Sequence, residues 1–343
     1  MSTPPTLCNL PDVVIRNIFN RIGFRTIQNL RKVCHDLRKR IDDIKPEANL
    51  SIVDIRVTDC KIRFFYYSEI LTFDEEVGKG AVEYEKTWKS GRSIVRSRGS
   101  EKMVNGDYME LALRDFLLIL KFQKKNIKTI EFKSIDLIHF FNETEHSNHF
   151  LQFLETLKSL LALENRLLKV HDFSIDLFDQ KSVITALSLI DPQSICRITL
   201  NDGGWEVQPM EFPDIMEMEQ WKTAKSFMSN FTFTGVSTHD FLHFNLFCGE
   251  LQSISIEELL DLKKNSSGKD VFSIQYDTFE GKEQFFEKMG PSVRTINDDF
   301  EWHFRMSTTA DYVLCIELDD PRQSINFIRR RVRDVPEDAV IQN

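Results

Sequence analysis

The stretch LPDVVIRNIFNRI, Leu10 to Ile22, lies near the start of the 343-residue chain and carries the strongest helical pattern in that region. Pro11 suits the first turn of a helix, where a missing N–H costs nothing, and Asp12 suits its positive end. The apolar side chains then recur on one wide face: Val14, Ile15, Ile18, Phe19 and Ile22. Gly23 can end this helix. We therefore expect a short amphipathic helix with a large apolar face.

A second helical pattern follows directly. Thr26 can cap it, and the helix is expected to continue or to bend around residue 35, until Pro46 stops it. Its apolar positions have spacings of three and four: Ile27, Leu30, Cys34, Leu37, Ile41 and Ile44. A unit of about 35 residues can hardly bury all of this surface by itself. One apolar face of the unit is therefore predicted to pack against something else.

The rest of the chain alternates between two patterns. Residues 50–105 are β-rich in character, and the polar segment VRSRGSEKMVNGD, 95–107, is predicted to be a loop. From about residue 108, helical stripes alternate with strand-like runs, including a helix near 238–247. Ser255 and Glu258 form a capping box for the helix after it, with Ile254 and Leu259 as its hydrophobic staple. Such alternation favours parallel strands with crossover helices, in an open sheet or a leucine-rich-repeat-like solenoid.

Composition excludes several classes of function. The net charge of −9 argues against binding to nucleic-acid backbones, which requires a basic face. The chain has neither a secretory leader pattern nor an apolar run of membrane-spanning length, so an intracellular protein, in cytoplasm or nucleus, is expected. The six cysteines form no CxxC pair, and they are expected to be free thiols without a zinc framework.

The N-terminal pattern resembles an F-box. The resemblance rests on Leu10-Pro11, Ile18-Phe19, Ile22, Ile27, Leu30 and Val33-Cys34, with Leu37 where the family often has Trp. F-boxes are three-helix modules that bind the Skp adaptor of SCF-type cullin–RING ubiquitin ligases. The resemblance places these residues in or next to that interface: Leu10, Pro11, Val14, Ile15, Ile18, Phe19, Ile22, Leu30 and Val33. Cys34 is expected to be a small buried residue of the module.

The remainder resembles the FTH (DUF38) domain that follows F-boxes in nematode-type families. Several segments carry the resemblance by their order: FLLILKFQKKNIKTIEF, ALSLIDPQSICRITL, QWKTAKSF, FLHF, SIEELLDLKK, EWHFRM and YVLCIEL. The expected fold is α+β or α/β, with a three-helix F-box before a leucine-rich-repeat-like helix–strand solenoid that has a β-rich start. The expected divisions are an F-box at 1–46, a β-rich segment at 47–107, a receptor domain at 108–335 and a tail at 336–343.

The resemblance implies a non-catalytic substrate-recognition subunit of a ubiquitin ligase. Its expected partners are the Skp-type adaptor with its cullin complex and an unidentified protein substrate, with no nucleic acid, membrane, metal or cofactor. A scaffold that binds the adaptor without presenting a substrate is the main alternative.

Two other motifs could carry chemistry. In HDFLH, His239 and His243 could share a metal on a helix, as in a zinc hydrolase. Asp240 is one methylene shorter than the glutamate that such enzymes use, and no third ligand follows, so a packed helix is favoured.

The basic run RRRVR, Arg329 to Arg333, could bind a phosphorylated substrate or form part of a nuclear-localisation signal. A solvated strand end is favoured for it.

Overall fold

The computed structural model describes residues 7–342 with gaps. The gaps are at 59–60, 67–68, 77–78, 91–92, 105–106, 135–142, 177–178, 202–208, 210, 295–298, 307–308 and 338. The chain forms two compact units. The first comprises residues 1–130 and 135–170, and the second comprises residues 131–134 and 171–343.

Three short helices open the first unit: α1, Asp12–Phe19; α2, Phe24–Arg31; and α3, His35–Ile44. Pro11 occupies the cap position of α1. Gly23, not Thr26, stands at the N-terminal cap of α2, so the expected capping role of Thr26 is wrong. The helix α2 ends at Arg31, and a separate helix, α3, begins after Cys34, which caps it. A single helix therefore does not continue through residue 35.

An antiparallel meander follows: β1, Ile52–Val57; β2, Lys61–Tyr66; β3, Glu69–Glu76; β4, Lys79–Ser90; and β5, Ser93–Val104. The prediction of a loop at 95–107 is wrong, because residues 93–104 pair with β4 along most of their length. Backbone hydrogen bonds form this ladder whatever the side chains, so a polar sequence does not prevent it.

The core of the first unit lies between the meander and two helices: α4, Tyr108–Leu120, and α5, Glu143–Leu163. Asp107 caps α4 by accepting a hydrogen bond from the Met109 N–H at 2.8 Å. Phe64 of β2 stacks on Phe116 of α4, with ring centroids 5.2 Å apart. Both rings are fully buried, so the apolar stripe predicted for this helix faces the sheet. The strand β6, Ile127–Ser134, follows α4 in the chain and lies beside β1 in the sheet.

Within its described residues, the second unit contains five α-helices: α6, Gln180–Leu187; α7, Pro213–Met216; α8, Glu219–Thr223; α9, Ile256–Asn265; and α10, Lys282–Met289. Its first strands are β7, Val170–Asp176; β8, Arg197–Asn201; β9, Ser226–Phe233; β10, Leu246–Ser255; and β11, Val271–Glu280. The last strands are β12, Val293–Arg294; β13, Phe300–Arg305; β14, Tyr312–Asp319; β15, Ser324–Arg331; and β16, Ile341–Gln342.

The strands of the second unit change direction partway across its sheet. From β7 to β11 each strand is parallel to the next one along the chain. The order then continues through β15, β14, β13 and β12 with antiparallel pairs. The expectation of a mixed α/β chain with N-terminal helices is therefore confirmed.

The expected helix near 238–247 is wrong. Thr238–Phe241 forms one 3-10 turn, and a strand begins at Leu246. The aromatic rings whose spacing imitated a helix pack instead into an aromatic cluster on the sheet. In that cluster, the Phe244 ring lies 5.0 Å from the Trp221 ring and 5.5 Å from the Phe227 ring.

Within the part of the chain that the structure describes, none of the helices has the length and apolar character needed to cross a bilayer.

Candidate functional site

The first helix presents apolar side chains both to the core and to solvent. Ile15 and Phe19 are completely buried, and Ile18 is partly exposed. Val14, on the same face but further round the helix, is 41% exposed, and its neighbour Val13 is 70% exposed. Val33, after α2, is 68% exposed. We call Val13, Val14 and Val33 the exposed valines; their apolar surface is available to a partner.

The nine predicted interface residues fall into three groups by burial. Pro11, Val14 and Val33 are exposed; Leu10, Ile18, Ile22 and Leu30 are partly exposed; Ile15 and Phe19 are buried. In this conformation a partner cannot touch the last two, which instead fix α1 on the core. Val13 was missed by the sequence reasoning, because it lies outside the stripe that the helical period defines.

Charged side chains hold the three helices in place. The Arg40 guanidinium donates a hydrogen bond to the Leu10 carbonyl at 2.6 Å and lies 3.6 Å from the Asp12 carboxylate. Arg31 of α2 donates two hydrogen bonds to Asp42 of α3, at 2.7 and 3.1 Å. The start of α1 and the last residue of α2 are thus both bonded to α3, close to the exposed valines in sequence.

Cys34 lies on the surface of this module. The expectation that it is buried is wrong: its side chain is exposed, and its Sγ accepts a hydrogen bond from the Leu37 N–H at 3.5 Å. The Sγ atom of Cys8 lies 3.9 Å from that of Cys34. Cys34 therefore serves as a helix cap, a role that Ser or Thr usually fills.

The two histidines of HDFLH contact different groups. His239 Nε2 lies 3.0 Å from an Asp261 carboxylate oxygen, and His243 Nε2 lies 3.0 Å from the Trp221 carbonyl. Burial lowers the pKa of His243 below its usual value. The zinc-hydrolase motif places both rings on one face of an α-helix, whereas Thr238–Phe241 forms a 3-10 turn.

The basic run divides into a packed part and an exposed part. Arg330 donates to Glu317 at 2.5 Å and to Glu301 at 3.4 Å, and the Arg329 guanidinium stacks 4.0 Å from the Tyr312 ring centre. Residues 331–333 are exposed. The interpretation as a solvated strand end is therefore wrong for Arg329 and Arg330, which are partly buried and contact side chains of neighbouring strands.

The parallel strands of the second unit have one face with exposed and partly exposed side chains. One register row runs across five strands and consists of partly or fully exposed side chains: Ser174, Thr199, Met228, Cys248 and Ser273. The neighbouring row, on the opposite face, is buried: Phe173, Ile198, Phe227, Phe247 and Phe272. We call the first row the open row.

Comparison with known proteins identifies two domains. A model of the F-box domain matches residues 7–48, and a model of the FTH domain matches residues 151–285. The chain is 23% identical to F-box A protein 224 of Caenorhabditis elegans over 273 residues, which cover 76% of this chain and 63% of the relative. The match thus spans somewhat less than two thirds of the relative's length. No solved structure matches the chain.

Proposed function

We propose that this chain, which contains an F-box domain followed by an FTH domain, is a substrate receptor of an SCF-type cullin–RING ubiquitin ligase. The observation that carries the proposal is an F-box whose apolar face is divided, with one side buried and the other exposed. A contiguous patch of exposed apolar surface commonly marks an interaction site. Such a receptor is intracellular and needs no catalytic residue of its own, because it brings a substrate lysine close to activated ubiquitin.

The proposed adaptor surface is the exposed part of the predicted set. Val14 and Val33 would contact the Skp-type adaptor directly, together with Pro11, the partly exposed residues and Val13. Ile15 and Phe19 would contribute indirectly, because their burial in the core fixes the orientation of α1. This division of roles gives different expectations for surface and core substitutions.

Charged substitutions in the exposed valines test the adaptor surface. The full chain carrying Val14→Asp and Val33→Asp should bind the purified adaptor about a hundredfold more weakly or worse, a loss of ~3 kcal/mol, because two carboxylates would be buried against apolar groups. Isothermal titration with the Skp adaptor measures the affinity. Both sites are exposed, so the thermal unfolding midpoint should remain near that of the wild type.

Val340→Asp is the matched control, since Val340 is also exposed (58%) but lies outside the F-box. It should leave adaptor affinity unchanged. Adaptor binding of wild-type strength by the double variant would refute the proposed surface. Phe19→Ala should, by contrast, lower the unfolding midpoint, since it empties a fully buried site.

The proposed substrate surface is the open row of the parallel strands. We interpret β7 to β11, with the helices between them, as leucine-rich-repeat-like, since each strand lies beside the next one along the chain. The open row offers small polar side chains around the exposed Met228. A row of mostly small side chains across five strands offers a protein segment room to bind over the sheet.

Substitutions that place long charged side chains on the open row test this second surface. Met228→Glu with Ser273→Arg should remove partners captured by the full chain from cell extract and should leave adaptor binding intact. Partners are identified by mass spectrometry, and a genuine substrate must also accumulate when the proteasome is inhibited. If no captured protein accumulates, the chain is the adaptor-binding scaffold and not a receptor.

A further inference from the structure

A compact group of metal-ligating side chains lies at the far end of the second unit's sheet. Glu301 and His303 of β13 alternate with the buried Trp302, so they share the opposite face of that strand. Across the ladder, Cys315 of β14 stands opposite His303, and Glu317 stands opposite Glu301. The register of two antiparallel strands thus gathers a carboxylate, an imidazole and a thiol on one face.

The ligand atoms of this group are close together. One ligand atom each from Glu301, His303 and Cys315 lies within 4.8 Å of the other two. Glu301 Oε2 and His303 Nε2 lie 3.7 Å apart. Ligand atoms around a tetrahedral zinc ion are roughly 3.4–3.7 Å apart, given bond lengths of about 2.0–2.3 Å. Side-chain movements of about 1 Å would therefore complete the site.

His303 is among the buried polar side chains of the described residues that lack a hydrogen bond, and both of its ring nitrogens are affected. Its residue is 1% exposed, and within the described part of the chain neither ring nitrogen makes a hydrogen bond. A buried polar group without a hydrogen bond is costly, and native folds rarely retain one without a reason. Cys315 is likewise completely buried. Its Sγ donates a long hydrogen bond to Glu317 Oε1, at 3.8 Å.

The charges around the group leave room for a divalent cation. Arg330 is held by Glu317 at 2.5 Å, which neutralises one carboxylate, and it lies further from Glu301, at 3.4 Å. Glu301 is therefore only partly compensated. If a dication bound Glu301 and a deprotonated Cys315, its two positive charges would be balanced, and the Arg330–Glu317 pair could persist.

We propose that Glu301, His303 and Cys315 form a binding site for a divalent transition metal of the zinc type. Cys315 would supply a thiolate, His303 its Nε2 and Glu301 one carboxylate oxygen, with a water molecule as fourth ligand because Glu317 is engaged by Arg330. On binding, the metal replaces the thiol proton, which passes to solvent. Mixed sulfur, nitrogen and oxygen ligands favour zinc over calcium or magnesium. The site would join β13 to β14 and is independent of the proposed ligase function.

The test uses the full chain with Cys8→Ser and Cys34→Ser as the parent, because those two neighbouring thiols could chelate metal themselves. The parent is freed of metal with a chelator and titrated with Co²⁺. We expect one equivalent to bind with the near-ultraviolet charge-transfer absorption of a cobalt–thiolate bond, and Zn²⁺ to abolish that absorption. Cys315→Ser should eliminate the absorption. Glu301→Gln, which preserves shape, should weaken binding about tenfold or more. Cys248→Ser and His239→Ala should change neither.

Three results would overturn the proposal. They are a parent that binds no stoichiometric Co²⁺, an absorption that survives Cys315→Ser, and an absorption lost in Cys248→Ser. X-ray absorption of the zinc-loaded parent decides the case without any variant at the site, should Cys315→Ser fail to fold. The proposal requires one sulfur ligand per zinc together with lighter atoms; two sulfurs or none would refute it.

Discussion

His243 shows how a single residue couples this fold to pH. Its ring packs against Phe244, although the residue as a whole is exposed, and its Nε2–H donates to the Trp221 carbonyl at 3.0 Å. Burial, and secondarily the charge of Lys269, lower its pKa in the folded state, whereas the unfolded chain has the ordinary value of about 6.5. As the pH falls, the unfolded state therefore binds a proton first. This contribution to stability is fully present above pH ~6.5 and is lost as the pH falls through the folded pKa.

We therefore expect His243→Gln to flatten the pH dependence of the unfolding free energy between pH about 7.5 and 5. Denaturant unfolding at a series of pH values gives the comparison. His35→Gln is the matched control, because the His35 side chain is 87% exposed, and it should leave the slope as in the wild type. An unchanged slope in His243→Gln would show that its burial has no energetic effect.

Helical spacing predicted which residues of α1 share a face, but not which of them a partner can reach. It placed Ile15 and Phe19 on one face, and the resemblance assigned both to the adaptor interface, yet both are buried in the core. The spacing could not show that Val14, on the same stripe, remains exposed, since that depends on where α1 meets its neighbours. The group Glu301, His303 and Cys315 was missed, because only the pairing register of β13 and β14 brings these three together.

The N-terminus of α9 shows that a helix boundary can be predicted from its capping residues. The predicted capping box is confirmed: Glu258 N–H donates to Ser255 Oγ at 3.3 Å, and Glu258 accepts from the Ser255 N–H at 2.9 Å. The buried Ile254 and Leu259 occupy the staple positions. Glu258 also accepts from the Thr238 N–H at 3.1 Å, so this cap secures the preceding 3-10 turn as well.

Ser255→Ala should lower the unfolding free energy by about 1 kcal/mol, the usual cost of losing a serine cap. Glu258→Ala should cost more, because two backbone N–H donors lose their acceptor. Denaturant unfolding of the full chain measures both changes. Ser253→Ala, at an exposed strand position two residues earlier, is the control and should cost little. Equal stabilities for all three variants would contradict the role of the cap.

Elements were misread where side-chain pattern and backbone pairing disagree. Residues 93–104 have the polarity of a loop, yet they form β5 because the ladder to β4 depends on backbone groups. The aromatic run from Phe241 to Phe247 has helical spacing, yet packing on Trp221 and Phe227 determines its path. Capped helices with regular stripes, such as α4 and α9, were predicted correctly because local signals and tertiary packing agree in them.

The order of the domains along the chain could be predicted from the sequence, but the order of the strands in the sheet could not. The F-box and FTH patterns, read in sequence, are both matched by family models. The alternation of helices and strands indicated parallel pairing, and β7 to β11 have it. The antiparallel strands that continue this sheet were read as strands, but nothing in their side chains specifies that β15, and not β12, pairs with β11. Strand order depends on contacts distant in sequence, which periodicity does not report.

The receptor proposal makes a prediction that only the complete chain can test. Val14→Asp with Val33→Asp should uncouple the adaptor and leave the open row intact, because both substitutions lie outside the second unit. Expressed in excess, this variant should bind the substrate without delivering it. The substrate should therefore accumulate with less ubiquitin attached, as measured by its half-life and by ubiquitin blots after proteasome inhibition. Adding Met228→Glu and Ser273→Arg to the same chain should abolish this protection, since the substrate would no longer be held. Protection that persists in the quadruple variant would place substrate binding elsewhere, and protection by neither variant would favour the scaffold.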